Sequence, residues 1–167
     1  QVDAMAGMRQ TDLVALYREG VATAAAGLAH PVATAEYVTL GARPKSADAK
    51  AMPGDPLKCD MVCTVGGYAS DMSRNFIFGP PSGEQAELHA IAERAFDDGL
   101  ASLVPGNSLG HVHRIATDSL ARQGLPSYSR GHFGHGVGQS VFSEQWPFIA
   151  ADSDVVIEAG MVLAFEI

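Results

Sequence analysis

The chain reads as an α+β fold, with helices on one face of a mainly antiparallel sheet. Three observations predict it. Helical and strand-like segments follow in the order helix, strands, two helices, strands. Residues 58–65 and 68–78, rich in Val, Ile, Phe, Tyr and Thr, flank a Gly-Gly step and suit two paired strands. At 167 residues, 47% hydrophobic and 18% charged, the chain is long and apolar enough to bury a core.

Each element has its own signal. Residues 5–28 are rich in Ala and place Leu13, Leu16, Tyr17 and Val21 at helical spacing, which predicts a long amphipathic helix ended by His30-Pro31. Residues 32–40 form a predicted strand, and residues 41–56, with three prolines and little periodicity, a loop. Ser82 and Gln85, three apart, make a capping box that opens a helix running to about Leu103 and stopped by Pro105-Gly106. A further helix opens at Asn107 or Ser108 and ends at Gln123-Gly124. A glycine- and histidine-rich segment, 130–139, follows, then an irregular stretch to Ile157 and a final strand over 161–167.

Composition removes several functions. Nineteen acids against eleven Lys and Arg give a net charge of −8, which argues against nucleic acid and anionic membrane as partners. No apolar run approaches the roughly 20 residues of a membrane helix. No signal peptide is visible. Cys59 and Cys63 share one face of one strand, where a disulfide does not close easily, so reduced thiols and a cytoplasmic location are expected.

The chemistry concentrates in acids and histidines. A turn centred between Val65 and Gly66 puts Asp60 directly opposite Asp71, with Cβ atoms roughly 5 Å apart. Facing carboxylates repel unless a cation lies between them, most simply a divalent metal; two unrelated, solvated acids are the alternative. Gly131-His-Phe-Gly-His135-Gly-Val-Gly138 can bring backbone close to a ligand and hold His135 at a sharp bend, with His132 placed to orient a ligand or a bound water. Glu166 interrupts the apolar run Met161-Val-Leu-Ala-Phe-Glu-Ile167, where a carboxylate is rarely buried unless paired or metal-bound; a strand end turning into solvent is the alternative. His111 and His113, two apart on a helix, cannot share a face and are expected at the surface, as is His89.

Asp60, Asp71 in Ser-Asp-Met-Ser-Arg, His135 in Gly-His-Gly-Val-Gly and Glu166 in Gly-Met-Val-x-x-x-Glu together resemble the pita-bread metallopeptidases: methionine aminopeptidases, Xaa-Pro aminopeptidases, prolidases and creatinase. The similarity is strongest toward the Xaa-Pro dipeptidase members and runs from about the first helix to the last residue. It implies two helix-plus-sheet halves related by a pseudo-twofold, helices outside, and a single catalytic-type domain over 1–167. That domain is expected to be incomplete at its C-terminus and to lack a preceding domain. It further implies that Asp60, Asp71, His135 and Glu166 ligate two divalent ions, with Mn, Co, Fe or Zn admitted by a one-His, carboxylate-rich set. A metal-activated water would then hydrolyse a peptide next to proline, with Glu166 and His132 as catalytic groups and a homodimer among the candidate assemblies.

The chain also departs from the resemblance. The fifth ligand, a Glu in a strand after Glu166, is absent, and Val62 replaces a glycine. The histidine expected ahead of Asp60 is missing from 41–48, and Phe142 or Ser143 stands where a second substrate-side histidine belongs. Phe142, Ser143 and Trp146 are the candidate substrate contacts, with Trp146 expected to pack near the site mouth. These departures keep two rivals open: creatinase-like or lyase chemistry on a small molecule, and a peptide- or protein-binding domain without catalysis.

Overall fold

The computed structural model describes residues 7–41, 46–139 and 144–167, which form two compact units. Part of the predicted loop after Gly41, the start of the first predicted helix at Met5, and the substrate candidates Phe142 and Ser143 lie outside the described residues.

The first unit runs to Ser82 and takes in Gly138. It contains helix α1 (Gln10–Ala24) and strands β1 (Val32–Leu40), β2 (Pro56–Val65), β3 (Tyr68–Ala69) and β4 (Met72–Ile77). The strands make one antiparallel sheet in which β2 pairs β1 on one side and β3 and β4 on the other. Helix α1 is shorter than its pattern predicts. At its start, Gly7 and Met8 already bond the backbone of Ala51, and Asp12 caps the helix by accepting the Arg9 N–H at 3.0 Å. At its end, Ala25–Leu28 turn through Gly27 at φ 93°. Leu13, Val38, Leu40, Leu57 and Phe78 bury the contact between helix and sheet. Arg18 on α1 holds the nearly buried Glu36 of β1 through two bonds of 2.9 Å, which keeps that carboxyl below its ordinary pKa.

The second unit comprises Gly83–Val137 and the segment ending at Ile167. Helices α2 (Gly83–Ser102) and α3 (Leu109–Arg122) precede strands β5 (His132–Gly136), β6 (Gln145–Ala150) and β7 (Leu163–Phe165), an antiparallel sheet with β5 central. Ser108 caps α3, its hydroxyl accepting from the His111 N–H at 3.2 Å. Ile91, Ala95, Leu109, Val112, Ala116, Leu120, Phe133 and Ile149 form the core. Gly99 leaves room for the Phe165 ring, which a Cβ there would meet at 2.4 Å.

Strand β6 lies inside the stretch expected to be irregular. A proline and two register shifts against β5 hide the alternation that would mark a strand. His113 also departs from expectation: it is half-buried and stacks on Phe133, ring centroids 4.7 Å apart. Burial, helped by Arg114 and His132 and opposed by Asp152, pushes its pKa down. His89 is exposed, as expected. Among the described residues, no helix is long and apolar enough to cross a membrane.

Candidate metal centre

In the first unit the acidic residues sit on a hairpin whose turn differs from the predicted one. Gly66 and Gly67, at φ 59° and 86°, form the two-residue turn, so Val65 faces Tyr68. Two consecutive left-handed residues suit a tight hairpin with the natural strand twist, and Gly-Gly adopts both without strain. Every cross-strand partner is thereby two residues away from the predicted one. Asp60 is opposite Ser73 and Tyr37, not Asp71. Asp71 falls in the break between β3 and β4, two residues before Ser73 and so diagonal to Asp60.

The break has a local cause. Cys63 donates its N–H to the Ser70 hydroxyl at 3.3 Å, so a side chain takes a place that the strand backbone would otherwise fill. Across the strand from none of these but two residues along it, Lys58 reaches Asp60, Nζ to Oδ2 3.1 Å. Cys59 and Cys63 are free thiols, and burial raises the pKa of Cys59. Val62 is buried, and its carbonyl accepts the Tyr17 hydroxyl at 3.2 Å.

In the second unit the glycine frame around His135 has a packing reason. A Cβ on Gly134 would lie 2.0 Å from the Ala164 carbonyl oxygen, and one on Gly136 would lie 2.8 Å from that of Trp146. The two glycines let β7 and β6 close on either side of His135, which is 3% exposed. The His135 Nδ1 is 2.9 Å from the Gly136 carbonyl oxygen. A carbonyl only accepts, so Nδ1 carries the hydrogen and Nε2 is the basic nitrogen. That Nε2 lies 3.6 Å from Glu166 Oε1.

A backbone carbonyl on one ring nitrogen and a carboxylate facing the other is the arrangement that orients a metal-binding imidazole. Two donors about 2.1 Å from one ion stand roughly 3 to 3.5 Å apart, so the pair, at 3.6 Å, is just wider than a shared cation requires. The other oxygen of Glu166 is held by Arg130, Nη1 to Oε2 3.0 Å.

His132 has the opposite tautomer. Its Nδ1 accepts from the Gly134 N–H at 3.3 Å, so Nε2–H donates to Glu144 Oε2 at 3.0 Å. Its ring meets that of His135 edge-on, centroids 6.2 Å apart. Trp146 does not pack: it is 72% exposed. Sequence reasoning passed over Lys58, Arg130 and Glu144. Lys58 had a readable signal, since two residues apart on a strand share a face. Arg130 and Glu144 are 36 and 12 residues from their partners, and nothing local announces the pairs.

A model of metallopeptidase family M24 matches residues 2–167. The Xaa-Pro dipeptidase of Lactobacillus helveticus is 30% identical over 114 residues, covering 68% of this chain and 30% of its own length. The probable dipeptidase PepE of Mycobacterium tuberculosis is 32% identical over 138 residues, covering 78% and 36%. The crystal structure of the prolidase from Pyrococcus horikoshii superposes with a TM-score of 0.82 at 25% identity, covering 95% of this chain and 46% of that one. The chain thus spans about a third of the length of these curated relatives.

Proposed function

Because the chain belongs to metallopeptidase family M24 and has the pita-bread fold, we propose that it carries the metal-binding part of a peptidase that releases an N-terminal residue from before proline. Asp60, Asp71, His135 and Glu166 are the assigned ligands. One observation carries the reading. His135 Nδ1–H is tied to a backbone carbonyl and Nε2 stands 3.6 Å from Glu166, a pairing that positions two donors for one ion. Mn, Co, Fe or Zn suits the one-His, carboxylate-rich set. A divalent ion bound there supplies Lewis acidity toward the scissile carbonyl and a water of lowered pKa.

The chain's own groups do the rest. Glu166, held by Arg130 through Oε2, keeps Oε1 toward His135 and orients it. His132 Nε2–H is assigned to a substrate oxygen, with Glu144 as its resting partner. A proton taken up at His132 Nδ1 would replace the bond from the Gly134 N–H, and Glu144 would steady the resulting imidazolium. Overall, water adds across the C–N bond and the leaving nitrogen gains a proton. Trp146, exposed on β6, is assigned with Phe142 and Ser143 to substrate contact.

A second reading, a small non-peptide substrate, is favoured by Phe142 and Ser143 standing where peptidases of the resemblance carry a histidine. The complete polypeptide, loaded with Mn(II) or Co(II) and offered a panel of Xaa-Pro dipeptides, tests both. Cleavage lost in His135→Ala and Glu166→Gln is the expected result. Turnover of small amides alone would replace the first reading with the second, and no turnover with metal bound would leave a binding domain.

A further inference from the structure

Each unit holds one assigned ligand carboxylate that is already bonded to a basic side chain of its own unit. Lys58 Nζ lies 3.1 Å from Asp60 Oδ2, and Arg130 Nη1 lies 3.0 Å from Glu166 Oε2. Neither cation belongs to the ligand set that the resemblance implies. We propose that Lys58 takes the place of one of the two expected ions, so that the centre binds a single divalent ion tightly, with Asp60 serving chiefly as partner to the ammonium. The inference rests on the metal-centre reading above.

Charge supports it. Asp60 already has an ammonium 3.1 Å from its Oδ2, so a dication bound there must displace or oppose a positive charge of the chain's own.

Geometry points the same way. Lys58 and Asp60 are two apart on β2 and share a face, which places the ammonium and the carboxylate on the same side of the strand. Lys58 is half-exposed, and its contact with Asp60 is weak enough for an ion to displace. At the 3.1 Å contact the ammonium lies well inside the roughly 8 Å over which physiological salt screens, and it opposes a dication at Asp60. A glutamine or methionine there would not. Asp60 also lacks the directly facing Asp71 that would help it hold a second ion.

The test is metal stoichiometry, not activity. The complete polypeptide carrying this sequence is stripped with chelator, titrated with Mn(II) by calorimetry, and analysed for bound metal after dialysis. One tight equivalent is expected in the wild type. Lys58→Met is expected to bind a second equivalent at least tenfold more tightly than the wild type does, and Lys58→Arg to keep the wild-type count. Two equivalents of similar affinity in the wild type would overturn the proposal while leaving the peptidase reading intact, and would do so even if Lys58→Met failed to fold. A folded Lys58→Met with an unchanged second affinity would overturn it as well. Absence of any tightly bound ion in the wild type would instead overturn the metal-centre reading itself.

Discussion

Replacing Gly134 by alanine probes the arrangement that holds His135 against Glu166. The new Cβ would sit 2.0 Å from the Ala164 carbonyl oxygen and 3.0 Å from both the Ala164 carbonyl carbon and Ile149 Cδ1. Real Cβ atoms essentially never come within 3.0 Å of such an atom, so β7 must retreat from β5 by about 1 Å. The obstacle is backbone, which cannot rotate away as a side chain tip can. Gly134 also has φ 140°, a conformation costing a residue with a side chain about 1 to 3 kcal/mol. Overpacking adds about 1 to 3 kcal/mol.

A total of about 2 to 6 kcal/mol corresponds to a fall in melting temperature of roughly 4 to 24 °C for a chain of this size. Because β7 leads directly into Glu166, the retreat also widens the 3.6 Å gap to His135 Nε2. Thermal melts and Mn(II) calorimetry on the same preparation measure both effects. A variant that melts within 1 °C of the wild type and binds Mn(II) equally well would refute the claim that close backbone approach at Gly134 builds the site.

Two further predictions concern the core behind it. Phe133→Ala empties a fully buried ring position and removes the stack with His113, so urea denaturation should show a loss of about 3 to 5 kcal/mol. His113 has a lower pKa folded than unfolded, so between those two values the unfolded chain binds more protons. Its contribution to stability is complete above the unfolded value near 6.5 and is lost as pH falls through the folded value. Melting temperature should therefore drop from pH 7 to pH 5 more steeply in the wild type than in His113→Phe, and parallel curves would remove His113 as a source of the pH dependence.

The hairpin and the final strand show what a linear pattern can and cannot carry. Strand β1 was legible to the residue, and the helix start at Ser108 nearly so, because capping and alternation are written in adjacent residues. Asp60, Asp71, His135 and Glu166 stood out as a set through their motifs. The register linking the first two did not: a shift of a single residue in the turn changes every cross-strand partner, and only the left-handed conformations of Gly66 and Gly67 decide it. Strand β6 escaped notice for a related reason, since its bulges break the period that would reveal it.

By itself, then, the amino-acid order determined the α+β class, the helices after Ser82, and which acids and histidines are unusual enough to do chemistry. Tertiary structure alone decided who their partners are. Lys58 on Asp60, Arg130 on Glu166, Glu144 on His132 and Gly136 on His135 assign charge and tautomer to each group. Those assignments depend on distances of about 3 Å between groups as far as 36 residues apart, and a hydrogen bond at that range is set by how strands pack, not by which residues are neighbours in the chain.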